Sequence, residues 1–545
     1  MEGVCKVRLS LPTSLHSFFS SSSLIAVMDY LVVTAASIVG VLAFQYWKRL
    51  EFVNFMPGYR PLLSPLSPFG MLLPNSSSLN PGSTWYWHMR ASSYFNKTHD
   101  IISIVPLLGS ASYYTCSLDV MKQVLGADIK AGVEKPFDMT LERLFGPSLA
   151  SVNGDSWRRH RRVVQPAFTT KLYESIGSQV TKAYQSMVEA EGWQELTQID
   201  IIESQKFMLS FTLAIISKCG FGIDTPSPSN HVLSQSQKVQ KNFEFSEALN
   251  IVSRTLIPRI VLPNWIYSIP IQRLQQMGKS WNDLSSYMMT TIHEKKPAND
   301  GPEQDADTSG NLLARLITSW VHTGKYNLTE EEVIGNMYTL MFAGHETTAS
   351  ALLSVFVLLA IHQEIQEKVF QEIKSVQNAE AHSNINTDHL IFTKFCLWEA
   401  LRLYPSANFL PRELTQDMTI NVQRPVTEKI VLRKGSWFMC DLISIFRNPH
   451  TFPQPDDFIP ERWNGVSEHD VAMFGVGPRV CIGRQFAQVE ALHILSTILS
   501  DWHIEILTMP AECSQMYEHH ILSNAGQFGT AFGLQNASLK LIKRF

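Results

Sequence analysis

A single cysteine stands in the glycine-rich segment FGVGPRVCIG, which runs from Phe474 to Gly483. A helical pattern begins directly after Cys481, so backbone N–H groups at a helix N-terminus are expected to favour the thiolate. Gly477 and Gly483 allow the backbone to approach a flat, bulky group, and Arg479 can pair with an anion. Those are the requirements for holding an iron porphyrin through one cysteinate, with its propionates neutralised nearby. The alternative is a structural loop with an inert cysteine.

The other cysteines do not form a pattern with this one. The chain has 7 cysteines, an odd number at wide spacings, and it contains no CxxC pair. This argues against a disulfide framework and against a zinc ribbon. We expect most of these thiols to be buried apolar side chains in a reducing compartment.

A second segment with chemical potential is AGHETTAS, which begins at Ala343 inside a long apolar run. Ala343 and the glycine after it are small, so a helix can pass close to a bound disc there. Glu346 and Thr347 are costly in mid-helix if they are buried without partners, and threonine bonding back to the preceding turn can open a helix locally. The HExxH zinc pattern fails because Ala349 stands where the second histidine is required. The alternative is a core helix with scattered polar residues.

Two further segments carry charge at helical spacing. Glu399 and Arg402 are three residues apart, so they share a helix face and can form a charge-assisted hydrogen bond. Alone, this pattern is typical of a solvated surface pair. Trp157 begins the basic run WRRHR, which ends at Arg161. Alone, that run suits a helix on a membrane-facing surface or a docking face for a redox partner.

Together, and in this order, the four segments resemble the cytochrome P450 family of haem-thiolate monooxygenases across residues 55–545. The resemblance implies haem b (iron protoporphyrin IX) as the cofactor, with Cys481 as the axial ligand of the iron. It implies that Phe474 packs near the sulfur and that Arg479 pairs with a haem propionate. The full set of cofactor-binding residues that it implies is Cys481, Arg479, Trp157, Arg161, Phe474, Gly475 and Gly483.

The resemblance also assigns roles away from the cysteine loop. Glu346 and Thr347 match the acid–alcohol pair that relays protons to iron-bound dioxygen. Glu399 and Arg402 match the ExxR motif, and Arg462 would complete a structural network that supports the haem-side loop. The residues expected to line the substrate pocket, each of which could instead be ordinary core, are Phe342, Ala343, Phe409, Leu410 and Phe528.

These roles imply a monooxygenase that inserts one oxygen atom from O2 into a lipophilic small molecule. Analogy favours a specialised metabolite such as a terpenoid. No flavin or nicotinamide domain is recognised, so electrons are expected from a separate NADPH-cytochrome P450 reductase or similar donor. The alternatives are a fatty-acid hydroxylase, a haem-thiolate isomerase or dehydratase that does not use O2, and a non-catalytic haem sensor. Dependence on NADPH and dioxygen would separate them.

The elements that position these residues follow from hydrophobic patterning. The run from Thr329 to His362 is too long and too apolar for a surface helix, and Thr329 with Glu332 fits a capping box. Short β-like stretches follow at Met418–Val422 and Lys429–Gly435. The 545 residues are 45% hydrophobic, enough for a large core, and the net charge of −4 gives no indication of nucleic-acid binding. We predict a mainly α fold with small β-sheets (α+β).

The N-terminus has the pattern of a membrane anchor. Residues 30–47 carry no charge and nearly span a hydrocarbon core, and Lys48 and Arg49 follow them. The predicted organisation is a disordered extension (1–23), a transmembrane anchor (24–48), a proline-rich hinge (49–75) and one haem-thiolate domain (76–545). We expect a single-pass protein of the endoplasmic reticulum membrane with its catalytic domain in the cytosol. The alternative is a cleaved signal peptide, and Met28 is an alternative start.

Overall fold

The fold is taken from a computed structural model of the chain. It describes residues 21–65, 67, 69–70, 73, 79–82, 85–89, 98–127, 131–136, 144–225, 241–296, 311–321, 326–379, 385–507 and 514–544. Most of the expected disordered extension, residues 1–20, lies outside these ranges, as do residues 66, 68, 71, 72, 74 and 75 of the expected hinge.

Helices make up most of the regular structure. Their bounds are α1 Ser21–Phe52, α2 Trp85–Met89, α3 Leu118–Leu125, α4 Gly154–Val164, α5 Thr170–Glu191, α6 Ser204–Phe221, α7 Lys241–Arg254, α8 Leu256–Val261, α9 Gln272–Glu294, α10 Leu312–Val321, α11 Glu330–Ile361, α12 Gln363–Ala379, α13 Ile391–Leu403, α14 Leu442–Phe446, α15 Arg484–Asp501 and α16 Ser514–Ser523.

The strands form small sheets at the margins of this helical body. Their bounds are β1 Gly58–Tyr59, β2 Ile101–Ile104, β3 Ser112–Thr115, β4 Val133–Glu134, β5 Gln198–Ile201, β6 Phe409–Leu414, β7 Met418–Val422, β8 Glu428–Leu432, β9 Trp437–Asp441, β10 Trp502–Ile506, β11 Ala525–Phe528, β12 Ala531–Leu534 and β13 Leu539–Lys543. The largest sheet has the order β1-β2-β3-β9-β6-β4, a second has the order β10-β13-β5, and β7-β8 and β11-β12 are hairpins. The predicted mainly α fold with small sheets is therefore confirmed, as are the strands expected around β7 and β8.

Helix α11 crosses the core, as its composition predicts. Its capping box is present: Thr329 Oγ1 accepts from the Glu332 backbone N–H at 3.2 Å, and a Glu332 carboxylate oxygen accepts from the Thr329 N–H at 2.9 Å. Gly344 lets α6 pack closely, since an added Cβ would lie 2.8 Å from Cγ1 of Ile216. The close crossing of these two helices fixes the part of α11 that carries Glu346 and Thr347.

Two described helices are long and apolar enough to cross a membrane, Met28–Phe52 and Glu330–Ile361. The most apolar window of the second is 83% buried, whereas that of the first is 0% buried. A helix of the soluble core passes the same composition test as a membrane span, so burial decides between them. The second is the core helix α11, and the N-terminal part of α1 is the candidate anchor.

Part of the segment expected to form the hinge packs against the globular body. Helix α1 continues to Phe52, and β1 pairs in parallel with β2 in the largest sheet. Arg49 donates to the carbonyl groups of Pro106 and Leu107 at 3.0 and 2.8 Å. The described part of the expected hinge is therefore docked on the globular body, and the domain boundaries at 48 and 75 stay predictions.

A cavity beside Cys481 as the candidate active site

An interior cavity of about 300 Å³ lies between α11, α13, β6 and the cysteine loop. Aliphatic and aromatic side chains make up most of its wall, including Leu397 and Leu401 of α13 and Phe486 of α15. Ligand pockets in proteins combine such apolar walls with a few placed polar groups. The polar side chains that line this cavity are Lys135, Thr347, Thr348, Ser406, Arg412, Arg479 and Cys481.

The cysteine loop is shaped by two glycines with positive φ. The Cys481 N–H donates to the Phe474 carbonyl at 3.0 Å, which closes the loop. Gly475 has φ 80° and Gly477 has φ 74°, conformations that L residues with a side chain rarely adopt. A Cβ on Gly477 would also lie 2.1 Å from the carbonyl oxygen of Leu125, at the end of α3. Gly477 is therefore required for the loop to pack on α3.

Cys481 lines the cavity and is exposed to that space, although the surrounding protein still desolvates the thiol. Burial raises its pKa, and this outweighs the opposing effects of the Gly483 backbone N–H and the Arg161 charge. The Gly483 N–H lowers the pKa of the thiol, which is the direction expected for a helix N-terminus. In the protein alone, however, this effect is smaller than the opposing effect of burial. A cation bound beside the sulfur would reverse that balance.

Two arginines, Arg479 of the cysteine loop and Arg412 of β6, line the rim of this cavity from different elements. Arg479 donates to the Val152 carbonyl at 2.7 Å and to Asn153 Oδ1 at 2.8 Å, and its guanidinium stacks on Trp157. Burial, together with the nearby charges of Arg412 and Arg161, lowers the pKa of Arg479 to about 9. Among the described residues, neither Arg479 nor Arg412 forms an ion pair. Arg412 is buried and Arg479 is partly buried. Desolvated cations are stabilised by anions, so the rim suits a ligand with negatively charged substituents.

Arg161, one of the residues that the resemblance assigns to haem binding, contacts the cysteine loop directly, and its part in haem binding stays a prediction. Its Nη1 donates to the carbonyl of Val480, the residue before the cysteine, at 3.1 Å, and its Nε donates to Gln165 at 3.1 Å. Arg161 therefore braces the cysteine loop against α4. Gly483 lines the cavity, and an added Cβ there would meet no protein atom within 4 Å. A broad group can thus approach the backbone at this point.

Glu346 and Thr347 lie on α11 but face different surroundings. Thr347 lines the cavity, and its hydroxyl donates to the Ala343 carbonyl at 2.8 Å. Glu346 is 2% exposed and is not among the residues that line the cavity. One of its carboxylate oxygens accepts from the Thr530 N–H at 3.1 Å and from the Thr530 hydroxyl at 3.2 Å. Burial raises the pKa of Glu346 to about 7, although both Thr530 bonds oppose this.

The expected charged network behind the cysteine loop is present. Arg402 makes a bidentate ion pair with Glu399, with both distances at 2.9 Å, and both side chains are fully buried. Arg462 donates to the same carboxylate at 2.8 Å, and the Trp463 indole donates to it at 2.9 Å. Arg402 also donates to the carbonyls of Phe446, Pro455 and Asp457. The carboxylate and the guanidinium are both saturated, so this buried pair is structurally satisfied.

The residues expected to form the substrate pocket divide into two groups. Ala343 and Leu410 line the cavity. The three phenylalanines are not among its described lining: Phe342 stacks on Tyr338, Phe409 contacts Tyr86 edge-on, and Phe528 lies under the Arg254 guanidinium.

Sequence reasoning missed Arg412, which follows Leu410 by two positions on β6. Residues two apart on a strand share a face, so the strand period was the signal that could have placed Arg412 beside Leu410.

Comparison with known families now adds to this geometry. The family model described as "Cytochrome P450" matches residues 82–528. The fold and the cysteine loop therefore define a P450-type oxygenase, and the chain belongs to the cytochrome P450 family. It is a cytochrome P450 monooxygenase, as the resemblance predicted.

Several curated relatives align with most of this chain. It is 26% identical to "Cytochrome P450 monooxygenase 124" of Postia placenta, over 86% of this chain and 91% of the relative. It is 27% identical to "Cyclooctat-9-en-7-ol 5-monooxygenase" of Streptomyces melanosporofaciens, over 74% of this chain and 83% of the relative. It is 28% identical to "Cytochrome P450 72A397" of Kalopanax septemlobus, over 71% of this chain and 73% of the relative.

Proposed function

We propose that this protein binds haem b through Cys481 and inserts one oxygen atom from O2 into a lipophilic small molecule, with electrons from a separate NADPH-dependent reductase. The observation that carries this proposal is the position of the Cys481 thiol. It lies at a largely apolar cavity that is also lined by Thr347 on α11 and by Arg412 and Arg479, neither of which forms an ion pair among the described residues.

The residues around the cavity fit a haem group by their chemistry. Cys481 offers a sulfur whose ionisation needs a neighbouring cation, and Arg479 and Arg412 offer positive charge to the propionates. Trp157 supports Arg479 by stacking: the guanidinium carbon lies 4.4 Å from the centre of the indole ring. Phe474, Gly475 and Gly483 line the same cavity as Cys481, and the two glycines place no side chain there. When bound, haem ligated by thiolate supplies dioxygen activation, since the sulfur donates electron density that favours O–O cleavage.

The chain's own part in the reaction is to hold protons and exclude water. Thr347 lines the cavity, and its one hydroxyl proton is donated to the Ala343 carbonyl. Its oxygen lone pairs can therefore accept a hydrogen bond from a neighbour in the cavity, and the hydroxyl can donate there only once the bond to Ala343 is released. Glu346, the preceding residue, can supply protons. Burial raises the pKa of its carboxyl group to about 7, so this group is protonated in a large fraction of molecules near neutral pH. The apolar walls supplied by α13 limit the water that could divert those protons.

The substrate class follows from the lining of the cavity. Ala343, Leu401 and Leu410 present aliphatic surface, so a lipophilic molecule gains most from burial there. One relative is named for an unsaturated alcohol, cyclooctat-9-en-7-ol, which agrees with a specialised metabolite such as a terpenoid. A fatty-acid hydroxylase and a haem-thiolate isomerase or dehydratase are the competing functions. The Glu346–Thr347 pair favours a reaction that uses O2.

The helix α1 supports a membrane location for this activity. The most apolar window within Met28–Phe52 is 0% buried, which suits a single span in the endoplasmic reticulum membrane with the catalytic domain in the cytosol. A reductase on the same membrane would then supply the electrons.

The ligand assignment is tested by Cys481→Ser in the full-length protein. We expect the variant to lose the red-shifted Soret band of the reduced carbon monoxide complex, because oxygen replaces the sulfur ligand. Cys219→Ser, at a buried cysteine on α6 that does not line the cavity, is the matched control and should keep the band. A Cys481→Ser protein that retains the band would refute the assignment.

The reaction itself is tested by co-expression with an NADPH-dependent reductase and a panel of terpenoids and fatty acids. A product heavier by one oxygen atom, formed only with NADPH and O2, is the expected result. An isomerised or dehydrated product formed without either would instead support the competing function.

A further inference from the structure

The acid of the Glu346–Thr347 pair is engaged by a hairpin that the sequence reasoning did not connect with it. The turn between β11 and β12, Gly529–Thr530, lies against α11 at Glu346. Thr530 donates twice to one carboxylate oxygen, through its backbone N–H and its hydroxyl. The other oxygen, Oε1, is buried and has no hydrogen-bond partner among the described residues.

Gly529 makes this close contact possible. Its φ is +58°, and an added Cβ would lie 2.3 Å from Oε1 of Glu346. A residue with a side chain would therefore displace the carboxyl group from the hairpin tip, in addition to straining the turn. The tip is shaped to hold a carboxyl group in one orientation.

The same hairpin is fixed to α11 beyond its tip. The Phe532 N–H donates to the Ser406 carbonyl at 2.8 Å, and the Ser406 hydroxyl donates to the Thr347 carbonyl at 2.9 Å. The Ser350 hydroxyl, one turn further along α11, donates to the Phe532 carbonyl at 2.6 Å. The hairpin therefore contacts the Glu346 side chain directly and is linked to the Thr347 backbone through Ser406, so its position is coupled to both members of the acid–alcohol pair.

We propose that the Gly529–Thr530 tip is the positioning element for Glu346: it holds the carboxyl group on the hairpin side of α11, and this contact must be released before the carboxyl group turns towards the cavity. This inference rests on the proposed proton-supplying role of Glu346. Thr530 is a positioning residue in this scheme, because it acts through Glu346 and is not among the cavity-lining residues.

The charged and titratable groups around Glu346 are few. From α7, Arg254 acts on the Glu346 carboxylate and lowers its pKa, while its guanidinium lies 4.7 Å from the centre of the Phe528 ring. From α11 itself, His345 contacts the Met341 carbonyl through Nδ1 at 3.1 Å, and burial lowers its pKa to about 4, so it is neutral near pH 7. The two hydrogen bonds from Thr530 are thus the strongest local contribution in favour of the carboxylate, ahead of Arg254.

The experiment measures the ionisation of Glu346 directly in the haem-loaded, full-length protein. Infrared difference spectra are recorded against pH, and the carboxyl C=O stretch that disappears in Glu346→Gln is assigned to Glu346. Thr530→Val removes the hydroxyl donor at nearly constant shape, and Thr530→Ser keeps both donors. Gly529→Ala tests the same contact by placing a methyl group against Oε1 of Glu346. The ratio of hydrogen peroxide formed to NADPH consumed, with a reductase and no added substrate, is measured for each variant.

We expect Thr530→Val to raise the titration midpoint of that band by about one pH unit, because one charge-assisted bond to the carboxylate is lost. Gly529→Ala should also raise it, and Thr530→Ser should leave it unchanged. The peroxide ratio should change in Thr530→Val but not when the same substitution is added to Glu346→Gln.

Failure of the positioning role and failure of the proton role of Glu346 give different results. If Thr530→Val and Gly529→Ala both titrate like the wild type, the positioning role is refuted while the role of Glu346 stands. If Glu346→Gln leaves the peroxide ratio unchanged at every pH, the proposed proton role of Glu346 is refuted. Should Thr530→Val fail to bind haem, Gly529→Ala with Thr530→Ser decides the question.

Discussion

The guanidinium carbon of Arg479 lies 4.4 Å from the centre of the Trp157 indole ring. Arg479 comes from the cysteine loop and Trp157 from α4, two segments whose motifs are far apart in sequence. Arg479 also donates to the carbonyl of Val152 and to Asn153, just before α4 begins. The loop that presents the thiol is therefore fastened to α4, and a change on one side is expected to disturb ligand binding on the other.

The buried ion pair of Arg402 gives a prediction for stability. Arg402→Ala leaves the Glu399 carboxylate in the core without its bidentate partner, and we expect a loss of about 3–5 kcal/mol. The measurement is the denaturant midpoint of the haem-loaded protein, with the fraction of apoprotein after purification.

Arg462→Ala is the matched control for that substitution. Arg462 is 13% exposed, and without it Glu399 still has Arg402 and Trp463 as partners. We expect less than half of the loss seen for Arg402→Ala. Equal losses in the two variants would contradict a special place for Arg402 in the network.

The cysteine loop gives a prediction about close packing. Gly477→Ala and Gly465→Ala both place a side chain at a positive φ, +74° and +76°. Only at Gly477 would the new Cβ meet another atom, the Leu125 carbonyl oxygen at 2.1 Å. Gly465→Ala should cost about 1–2 kcal/mol from backbone conformation alone, whereas Gly477→Ala should cost more and also lower haem occupancy. Identical denaturation curves and haem-to-protein absorbance ratios for the two variants would rule this out.

The pKa of Glu346 predicts a pH dependence of stability. The carboxyl group titrates at about 7 in the folded protein and at its ordinary value of 4.5 when unfolded. Between these values the folded state binds more protons, so the free energy of unfolding falls as pH rises through the window. The total fall attributable to Glu346 is on the order of 3 kcal/mol.

Glu346→Gln should remove that part of the slope between pH 4.5 and about 7. The buried Asp441, whose pKa is raised by burial to about 6, contributes equally in both proteins and cancels in the comparison. Urea denaturation at a series of pH values gives the measurement. Parallel curves for the wild type and the variant would mean that Glu346 has an ordinary pKa in the folded state.

The way α1 meets the body predicts where the anchor can be removed. Tyr46 and Leu50 pack against the core and Arg49 bonds to the loop after β2, so deletion of residues 1–44 should release the protein from membranes with an unchanged denaturant midpoint. Alkaline carbonate extraction followed by denaturation measures both. Deletion of residues 1–56 also removes Val53 and Met56, which are buried, and should cost about 1.5–3 kcal/mol for each side chain. A 1–44 deletion that stays in the membrane fraction would show that another surface holds the protein there.

Features that depend on short-range spacing could be predicted from the residues alone. The cap and length of α11, the Glu399–Arg402 pair one turn apart, and the glycine-rich approach to Cys481 are all local, so periodicity and residue type suffice to predict them. The fold class followed from the same patterns.

The directions in which neighbouring side chains face could not be predicted in this way, because they depend on packing between distant segments. Successive residues on a helix diverge by about 100°, so Thr347 faces the cavity while Glu346 faces Thr530 on a hairpin far along the chain. The placement of Arg412 beside Arg479 likewise depends on how β6 packs on the cysteine loop. Such contacts are set by the packing of all the elements around the core at once, which local sequence preferences do not specify.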